Sequence, residues 1–439
     1  MSASEAADRF DLEAWLDHVQ LHGIKLGLDN TRRALQALGE PQRAYPSVLV
    51  GGTNGKGSTV AFATSLLHSA GLRVGSTISP HLTEYRERFR IDGVPVSAGR
   101  LAAHASRVHP VLTAIPELDK LTFFELGASL ALSLFAAESV DVAVVEVGMG
   151  GEFDATRGCE PAVGVVVSVD EDHLAHLGPT IEDVARTKAR IAPPGGVLVV
   201  GEDRSDRLAI LREESEAAGS ELWVPGGKYR LSGSWDSFSY RGPALRVSDV
   251  KLGLTGEHQA QNAAAACAAV EALHEVRGTP LPTSAQAAHA LRETRFPGRF
   301  EEVRRPAGPV FLLDGAHNPA GAMRLGAALA KRGKSGRRWW VLATKRDKRL
   351  NDLLRAILPH VDGVVATRGL TSDKFVSPEE VAIRVAEAAH GGVSVLTAPG
   401  AAEALALVEG RLGDGDEVLV AGSLYLVGDM RPLLGLPIA

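Results

Sequence analysis

Gly51-Gly52-Thr53-Asn54-Gly55-Lys56-Gly57-Ser58-Thr59 follows the apolar run Val48-Leu49-Val50 and precedes a helical stretch from Val60 to Ala70. A buried strand, a glycine-rich turn and a helix N-terminus in that order make a phosphate cradle. Glycines let backbone N–H groups converge on an anion, and the helix dipole adds positive charge there. Lys56 would neutralise β- and γ-phosphate charge, and the hydroxyls of Ser58 and Thr59 are candidate Mg²⁺ ligands. The match to the general P-loop is imperfect. Val50 stands where its first glycine should be, and Gly57 separates the lysine from the hydroxyls. Taken with the strand, lysine and helix, the stretch reads as a nucleotide site rather than a structural turn.

Around this loop the chain alternates strands and helices, which implies an open parallel sheet. Val142–Val147 and Val163–Val169 are continuous apolar runs, as expected of strands covered on both faces. Arg73–Ile78 and Val197–Val200 read as further strands, and Phe89–Val96 as a hairpin around Asp92-Gly93. Phe123–Ala137, Ile181–Ile191 and Leu208–Ala218 read as helices. Gly226–Leu254 is polar with short alternating runs, and is expected as antiparallel strands appended to the sheet. Gln259–His274 is an Ala-rich helix carrying Asn262, and Arg295–Gly298 is the expected hinge. Short strands beyond it (Val310–Leu313, Trp339–Ala343, Gly363–Ala366, Val393–Leu396, Glu417–Val420) alternate with helices such as Ala320–Lys331 and Pro378–Ala389. The fold class is therefore α/β. A P-loop parallel-sheet domain over residues 1–296 precedes a smaller Rossmann-like domain over 297–439.

At 439 residues the chain exceeds what one core usually supports. Its 45% hydrophobic and 23% charged composition is globular, and a net charge of −6 implies no broad surface for nucleic acid. Lys331-Arg332-Gly333-Lys334 with Arg337-Arg338 reads as a solvated helix end and loop. Cys159 and Cys267 suggest neither a disulfide framework nor a zinc site. Met1–Leu12 has mixed charge and no apolar core, and no run reaches membrane-spanning length, so the expectation is a cytoplasmic chain with no membrane partner.

Thr-Asn-Gly-Lys-Gly-Ser resembles the loop of the folylpolyglutamate synthase and dihydrofolate synthase family, relatives of the Mur ligases. Further matches run along the chain in the expected order. Before the loop stand Leu26-Gly27-Leu28 and Arg32. After it come Ser79-Pro80-His81-Leu82, Thr122-Phe123-Phe124-Glu125, Glu146–Gly151 with Asp154-Ala155-Thr156, Asp172-His173 and Lys188. The later ones are His258-Gln259 with Asn262, Phe296-Pro297-Gly298-Arg299, Asp314-Gly315-Ala316-His317-Asn318-Pro319 and Gly422-Ser423-Leu424-Tyr425.

The resemblance implies ATP bound by Thr53, Asn54, Gly55, Lys56, Gly57, Ser58 and Thr59, with Asn262, Arg299 and Asp314. It implies two Mg²⁺ sites drawn from Ser58, Ser79, Glu146 and His173, with a monovalent cation as a further candidate. Read from residues alone, Glu146 is an acid in an apolar strand, which is costly unless paired or metal-bound. Lys188 read alone is a surface lysine on an amphipathic helix; by resemblance it matches a lysine that becomes carbamylated. Lys56, Arg299, His317 and Lys188 are the implied catalytic set, with His317 and Asp314 brought from the second domain to the reacting centre. The folate or pterin side would be Leu28, Asp29, Arg32, Thr122, Phe123, Phe124, Glu125, Phe153, Asp154 and Ala155.

The implied reaction is ATP-dependent amide ligation of L-glutamate to a folate carboxylate through an acyl phosphate. The expected protein is a monomer acting on folate, dihydropteroate or both, with both favoured. The rivals are another Mur-type or cyanophycin-type ligase and a non-catalytic nucleotide switch. The stretch before Val50 leaves no room for a Mur-type UDP-sugar domain, and a switch gives no role to Glu146, His173 and His317 together.

Overall fold

The computed structural model describes residues 10–20, 23, 27–118, 120–171, 174–370 and 374–438. The chain forms two compact units. The first comprises Met1–His81, Tyr85–Lys251 and Ala260–Thr294, the second Leu82–Glu84, Leu252–Gln259 and Arg295–Ala439. The division therefore falls at Thr294/Arg295, beside the hinge residues. No change in composition marks the two short segments that group with the second unit.

In the first unit β1 (Ser47–Gly51), β2 (Val74–Thr77), β3 (Arg90–Ile91), β4 (Val94–Pro95), β5 (Val142–Glu146), β6 (Val163–Val166), β7 (Val197–Val200) and β8 (Glu221–Trp223) form one sheet. Its order is β4-β3-β2-β5-β1-β6-β7-β8. β2 and β5 to β8 run parallel with β1, while the β3–β4 hairpin lies antiparallel at one edge. Every residue of β1, β5, β6 and β7 is buried, because helices cover both faces and leave no solvent side to be polar. The crossover helices start where the sequence supplies caps. Thr122 and Glu125 form a reciprocal capping box for Phe123–Ala137, and Thr180 and Asp183 do the same for Ile181–Ala189.

Two elements differ from the reading of the sequence. The apolar run from Val163 leaves the sheet at Val166, so Val167–Asp170 is irregular backbone. The strands within 226–254 do not extend the large sheet. β9 (Arg230–Ser232), β10 (Phe238–Arg241) and β11 (Arg246–Val250) make their own antiparallel sheet in the order β11-β10-β9. Glu271, on helix His258–Arg277, supplies the reason. Its buried carboxylate accepts from the Tyr240 hydroxyl (2.5 Å) and the backbone N–H groups of Ala244 (2.6 Å) and Leu245 (2.5 Å). Three donors satisfy a buried charge and tie the small sheet to that helix. The thiols of Cys159 and Cys267 are both buried and free, and among the described residues no helix is long and apolar enough to cross a membrane.

The second unit holds β12 (Glu301–Val303), β13 (Val310–Leu313), β14 (Arg338–Leu342), β15 (Gly363–Ala366), β16 (Ser394–Thr397) and β17 (Glu417–Ala421). Their order is β12-β13-β17-β14-β15-β16, parallel except for β12. Alternate residues feed opposite cores, as strand geometry requires. Trp340 and Leu312 pack against Pro319–Arg332, Leu350–Ile357 and Pro378–Ala389, while Trp339 and Phe311 face Ala401–Glu409 and Leu424–Leu433.

Arg338 corrects the reading of its basic run as solvated, since it is 1% exposed at the start of β14. Its Nε donates to Glu417 Oε2 (2.7 Å), and its other nitrogens donate to the carbonyls of His360 (3.3 Å) and Gly333. Glu417→Ala leaves this guanidinium buried without its carboxylate, so it is expected to destabilise the chain by about 3 kcal/mol. Urea unfolding measures this, and a loss below about 1 kcal/mol would mean the pair is worth no more than a surface bridge.

Candidate active site

β1 delivers the chain at Gly51, and helix Lys56–Ser69 begins after four intervening residues. Gly55 caps that helix with φ of +91°, a left-handed conformation. A Cβ there would lie 2.3 Å from Asn262 Oδ1 and 2.9 Å from Val167 Cγ1, so conformation and space both require glycine. The loop is laced to the chain after β6. Thr53 N donates to the Ser168 carbonyl (2.8 Å), and Asn54 N donates to Ser168 Oγ (3.1 Å). Lys56 Nζ folds back over the loop and donates to the carbonyls of Gly52 (3.1 Å) and Thr53 (3.3 Å). Ser58 and Thr59 are buried in the first helical turn, and Gly57 precedes them there. Helix N–H groups and an ammonium at one point make an anion-binding cradle.

Glu146 ends β5 and pairs in register with Val50 of β1, which places it beside the strand that carries the loop. It is 5% exposed, and its Oε2 accepts from the Ser79 backbone N–H (3.1 Å). His173, expected as a metal ligand, and its neighbour Asp172 lie outside the described residues, as does Leu26. Among the described residues no group of three or more His, Cys, Asp or Glu is placed to hold a metal. One carboxylate with serine hydroxyls is instead the hard, sparse donor set that suits Mg²⁺ shared with phosphate oxygens. Lys188 contradicts its reading as a surface side chain, being 3% exposed on helix Ile181–Ala189. The loop residue Gly151 packs onto its backbone, where a Cβ would lie 3.3 Å from Lys188 Cα.

The residues expected on the folate side separate into three groups. Leu28, Asp29, Arg32 and Phe153 line a cavity of about 670 Å³. Phe153 is 48% exposed there, and Arg157 and Arg190 also line it, with Glu152 and Glu214 beside them. Arg190 was not assigned to this wall from the sequence. Thr122, Glu125, Asp154 and Ala155 are buried. Thr122 and Glu125 are spent on their capping box. Asp154 braces its loop by accepting from Met149 N (2.9 Å), Thr156 N (3.0 Å) and Thr156 Oγ1 (2.5 Å). Burial raises its carboxyl above the ordinary value, while these hydrogen bonds oppose the shift.

The third group is aromatic. The Phe124 ring occupies the space over Gly148, where a Cβ would lie 2.3 Å from its Cζ. Phe123 lies in an aromatic group with Tyr85 (ring centroids 5.1 Å apart), over which Arg88 sits at 5.1 Å from the Phe123 centroid. Arg88 Nε donates to His81 Nδ1 (2.8 Å), and burial with that cation pushes the imidazole down to about 4. Arg88 and Tyr85 were not singled out from the sequence. Their signal lay just downstream of the Ser79–Leu82 motif.

In the second unit Asp314 leaves β13 and accepts from Phe300 N (2.8 Å) and Ala316 N (2.8 Å). Burial raises its carboxyl, and the nearby Arg299 guanidinium opposes this. Arg299 Nη1 donates to the Gly298 carbonyl (3.1 Å), and its guanidinium lies 5.5 Å from the Phe296 ring centroid. His317 Nδ1 sits 2.7 Å from the Gly315 carbonyl. A carbonyl only accepts, so Nδ1 carries the proton and Nε2 the lone pair of the neutral ring. Asn318 caps helix Pro319–Arg332 by accepting from Gly321 N (2.8 Å). A turn alone thus accounts for the Asp, Asn and Pro of this motif, but not for the histidine. His258, also in this unit, is pushed down to about 3 by burial and by Arg324 and Arg299.

Residues 50–270 match the Mur ligase middle domain, and residues 298–424 the Mur ligase glutamate ligase domain. The chain is 36% identical to a Haloferax volcanii protein named "Probable bifunctional folylpolyglutamate synthase/dihydropteroate synthase", over 93% of this chain and 48% of that protein. It therefore spans about half the length of that relative. It is 32% identical to the dihydrofolate synthase/folylpolyglutamate synthase of Mycobacterium tuberculosis, over 91% of this chain and 88% of that one. Among solved structures it is similar to the folylpolyglutamate synthase of M. tuberculosis complexed with ADP and AMPPCP. That match has a TM-score of 0.87 and 29% identity, and covers 100% of both chains. The domains are those of the Mur ligase superfamily, and the chain belongs to the folylpolyglutamate synthase/dihydrofolate synthase family.

Gly55→Ala is expected to destabilise the chain by about 2 kcal/mol through its φ and its clash with Asn262. Thermal denaturation of a double-mutant cycle with Asn262→Ala should recover part of that loss. Strict additivity would show that the two residues do not share this space.

Proposed function

We propose that this chain is an ATP-dependent ligase that joins the amine of L-glutamate to a carboxylate of a folate, of dihydropteroate, or of both. The observation that carries the reading is the cradle itself. Gly55 is held left-handed against Asn262, Lys56 bends over the loop, and Glu146 closes the neighbouring strand. A module that merely sensed nucleotide gives no role to Glu146, His173 and His317 together. The family supports the choice of acceptor and amino acid, through relatives named for folylpolyglutamate and dihydrofolate synthesis and a domain named for glutamate ligation.

The loop N–H groups and Lys56 bind the ATP phosphates and offset their charge. Ser58 and Glu146 are the residues we assign to hold one Mg²⁺, and Ser79, Glu146 and His173 a second; the ions would further neutralise phosphate charge. Lys188, buried on its helix, is the residue assigned to carry a carbamate. The acceptor carboxylate oxygen attacks the γ-phosphorus, ADP leaves, and an acyl phosphate forms. The glutamate amine then attacks the acyl carbon, the carbon–oxygen bond to phosphate breaks, and the amine gives up a proton. His317, whose Nδ1 is engaged by the Gly315 carbonyl, is the residue assigned to receive that proton at Nε2. Arg299 is assigned to spread γ-phosphate charge, and Asn262 and Asp314 to position the nucleotide. Phe123, Phe124 and Phe153 offer aromatic faces on which a pterin can stack.

ADP release with Mg²⁺-ATP and L-glutamate tests the proposal, comparing tetrahydrofolate, dihydropteroate and no acceptor. Products are weighed for one added glutamyl residue. Turnover with either acceptor is the expected result, and with both it makes the chain bifunctional. ATP binding without turnover on either would overturn the assignment in favour of another amino-acid ligase or a nucleotide switch.

A further inference from the structure

Val167–Val169 reads as strand and is not one, and the hydrogen bonds of Val167–Asp170 account for the departure. One side of this stretch forms a bed for the phosphate loop. Thr53 N donates to the Ser168 carbonyl (2.8 Å), and Thr53 Oγ1 donates to the Asp170 carbonyl (2.9 Å). Asp170 N donates back to Thr53 Oγ1 (2.9 Å), and Ser168 Oγ donates to the Asn54 carbonyl (3.0 Å). A Cβ added to Gly52 would lie 3.1 Å from Ser168 N, so loop and bed are in close contact.

The other side is held by charged residues that follow β7. Glu202 Oε2 accepts from Val169 N (3.0 Å), while Arg204 Nη2 donates to the Val169 carbonyl (2.6 Å) and Nη1 to Asp170 Oδ1 (2.8 Å). Arg207 Nε donates to the same Val169 carbonyl (3.0 Å). Glu202 is 3% exposed, and its Oε1 closes the ring by accepting from Arg204 N (3.0 Å) and Nε (2.7 Å). Burial alone would raise its carboxyl, yet Arg204 and the backbone N–H groups hold it below the ordinary value. Glu202 is buried while the Arg204 side chain is 41% exposed, and the several charge-assisted bonds that join them fix the backbone more tightly than a single surface bridge does.

We infer that Glu202 and Arg204 are positioning residues of the nucleotide site, which act through Ser168–Asp170 to hold Thr53 and Asn54 in their phosphate-binding geometry. The inference rests on the ATP reading above. Neither side chain contacts the loop directly among the bonds described. Their loss is therefore felt as a loop that must be ordered by the nucleotide at a cost in affinity.

The test uses the full chain, with titration of the ATP analogue AMPPNP in Mg²⁺, steady-state kinetics, and thermal denaturation. Glu202→Gln and Arg204→Ala are expected to weaken AMPPNP binding and raise KM for ATP about tenfold, with KM for the folate acceptor unchanged. Arg204→Lys keeps the charge and is expected to recover part of the loss. Unchanged AMPPNP affinity in the variants would overturn the inference alone. So would equal rises in KM for ATP and acceptor, or a loss that only tracks the fall in Tm. A wild-type chain that binds no AMPPNP would overturn the ATP reading, and this inference with it.

Discussion

The first unit depends on one constraint: backbone N–H groups must point inward at the start of a helix without a side chain in the way. Meeting it requires the left-handed Gly55 at the helix cap, with Asn262 and Val167 pressed against its α-carbon. The constraint reaches outward from there. β1 must be buried on both faces to deliver the loop rigidly, and β6 must release its chain early so that Ser168–Asp170 can back the loop. Glu146 then falls at the end of the adjacent strand, in register with Val50. Parallel sheets collect ligand groups at this edge because every strand ends there in the same direction.

The second unit answers a different need with the same geometry. Its loop after β13 folds Asp314 back onto two backbone N–H groups, and Asn318 starts the next helix. His317 is left between them with its tautomer fixed by the Gly315 carbonyl. A ring whose proton position is set by the backbone is suited to receive a proton at the other nitrogen. The buried Arg338–Glu417 pair sits at the start of β14 and β17, the opposite edge of the sheet, where it ties strands together rather than serving chemistry.

Much of this was legible in the residues. The loop announced itself through glycine, lysine and hydroxyl spacing, and the valine runs of β5, β6 and β7 could only be strands covered on both sides. What was not legible depends on contacts between distant segments. Lys188 lies on a short amphipathic helix whose polar face normally meets water, yet it is buried, and the Gly151 loop packs onto its backbone. Arg338 looked solvated because its partner Glu417 is far along the chain. The small antiparallel sheet looked like an extension of the large one because Glu271, which captures it, is on a later helix. Thr122 and Glu125 matched a ligand motif yet are engaged as a helix cap. Arg190 reaches the cavity of Phe153 from a separate helix end, which no local pattern encodes.

The central claim is that ATP activates a carboxylate of the acceptor before glutamate attacks. The most direct measurement uses an acceptor labelled with ¹⁸O in that carboxylate, with ATP, Mg²⁺ and L-glutamate, and weighs the released phosphate. The account predicts that one labelled oxygen passes into each phosphate, because the bond broken in the second step is the one between the acyl carbon and that oxygen. Amide product formed with unlabelled phosphate would contradict it.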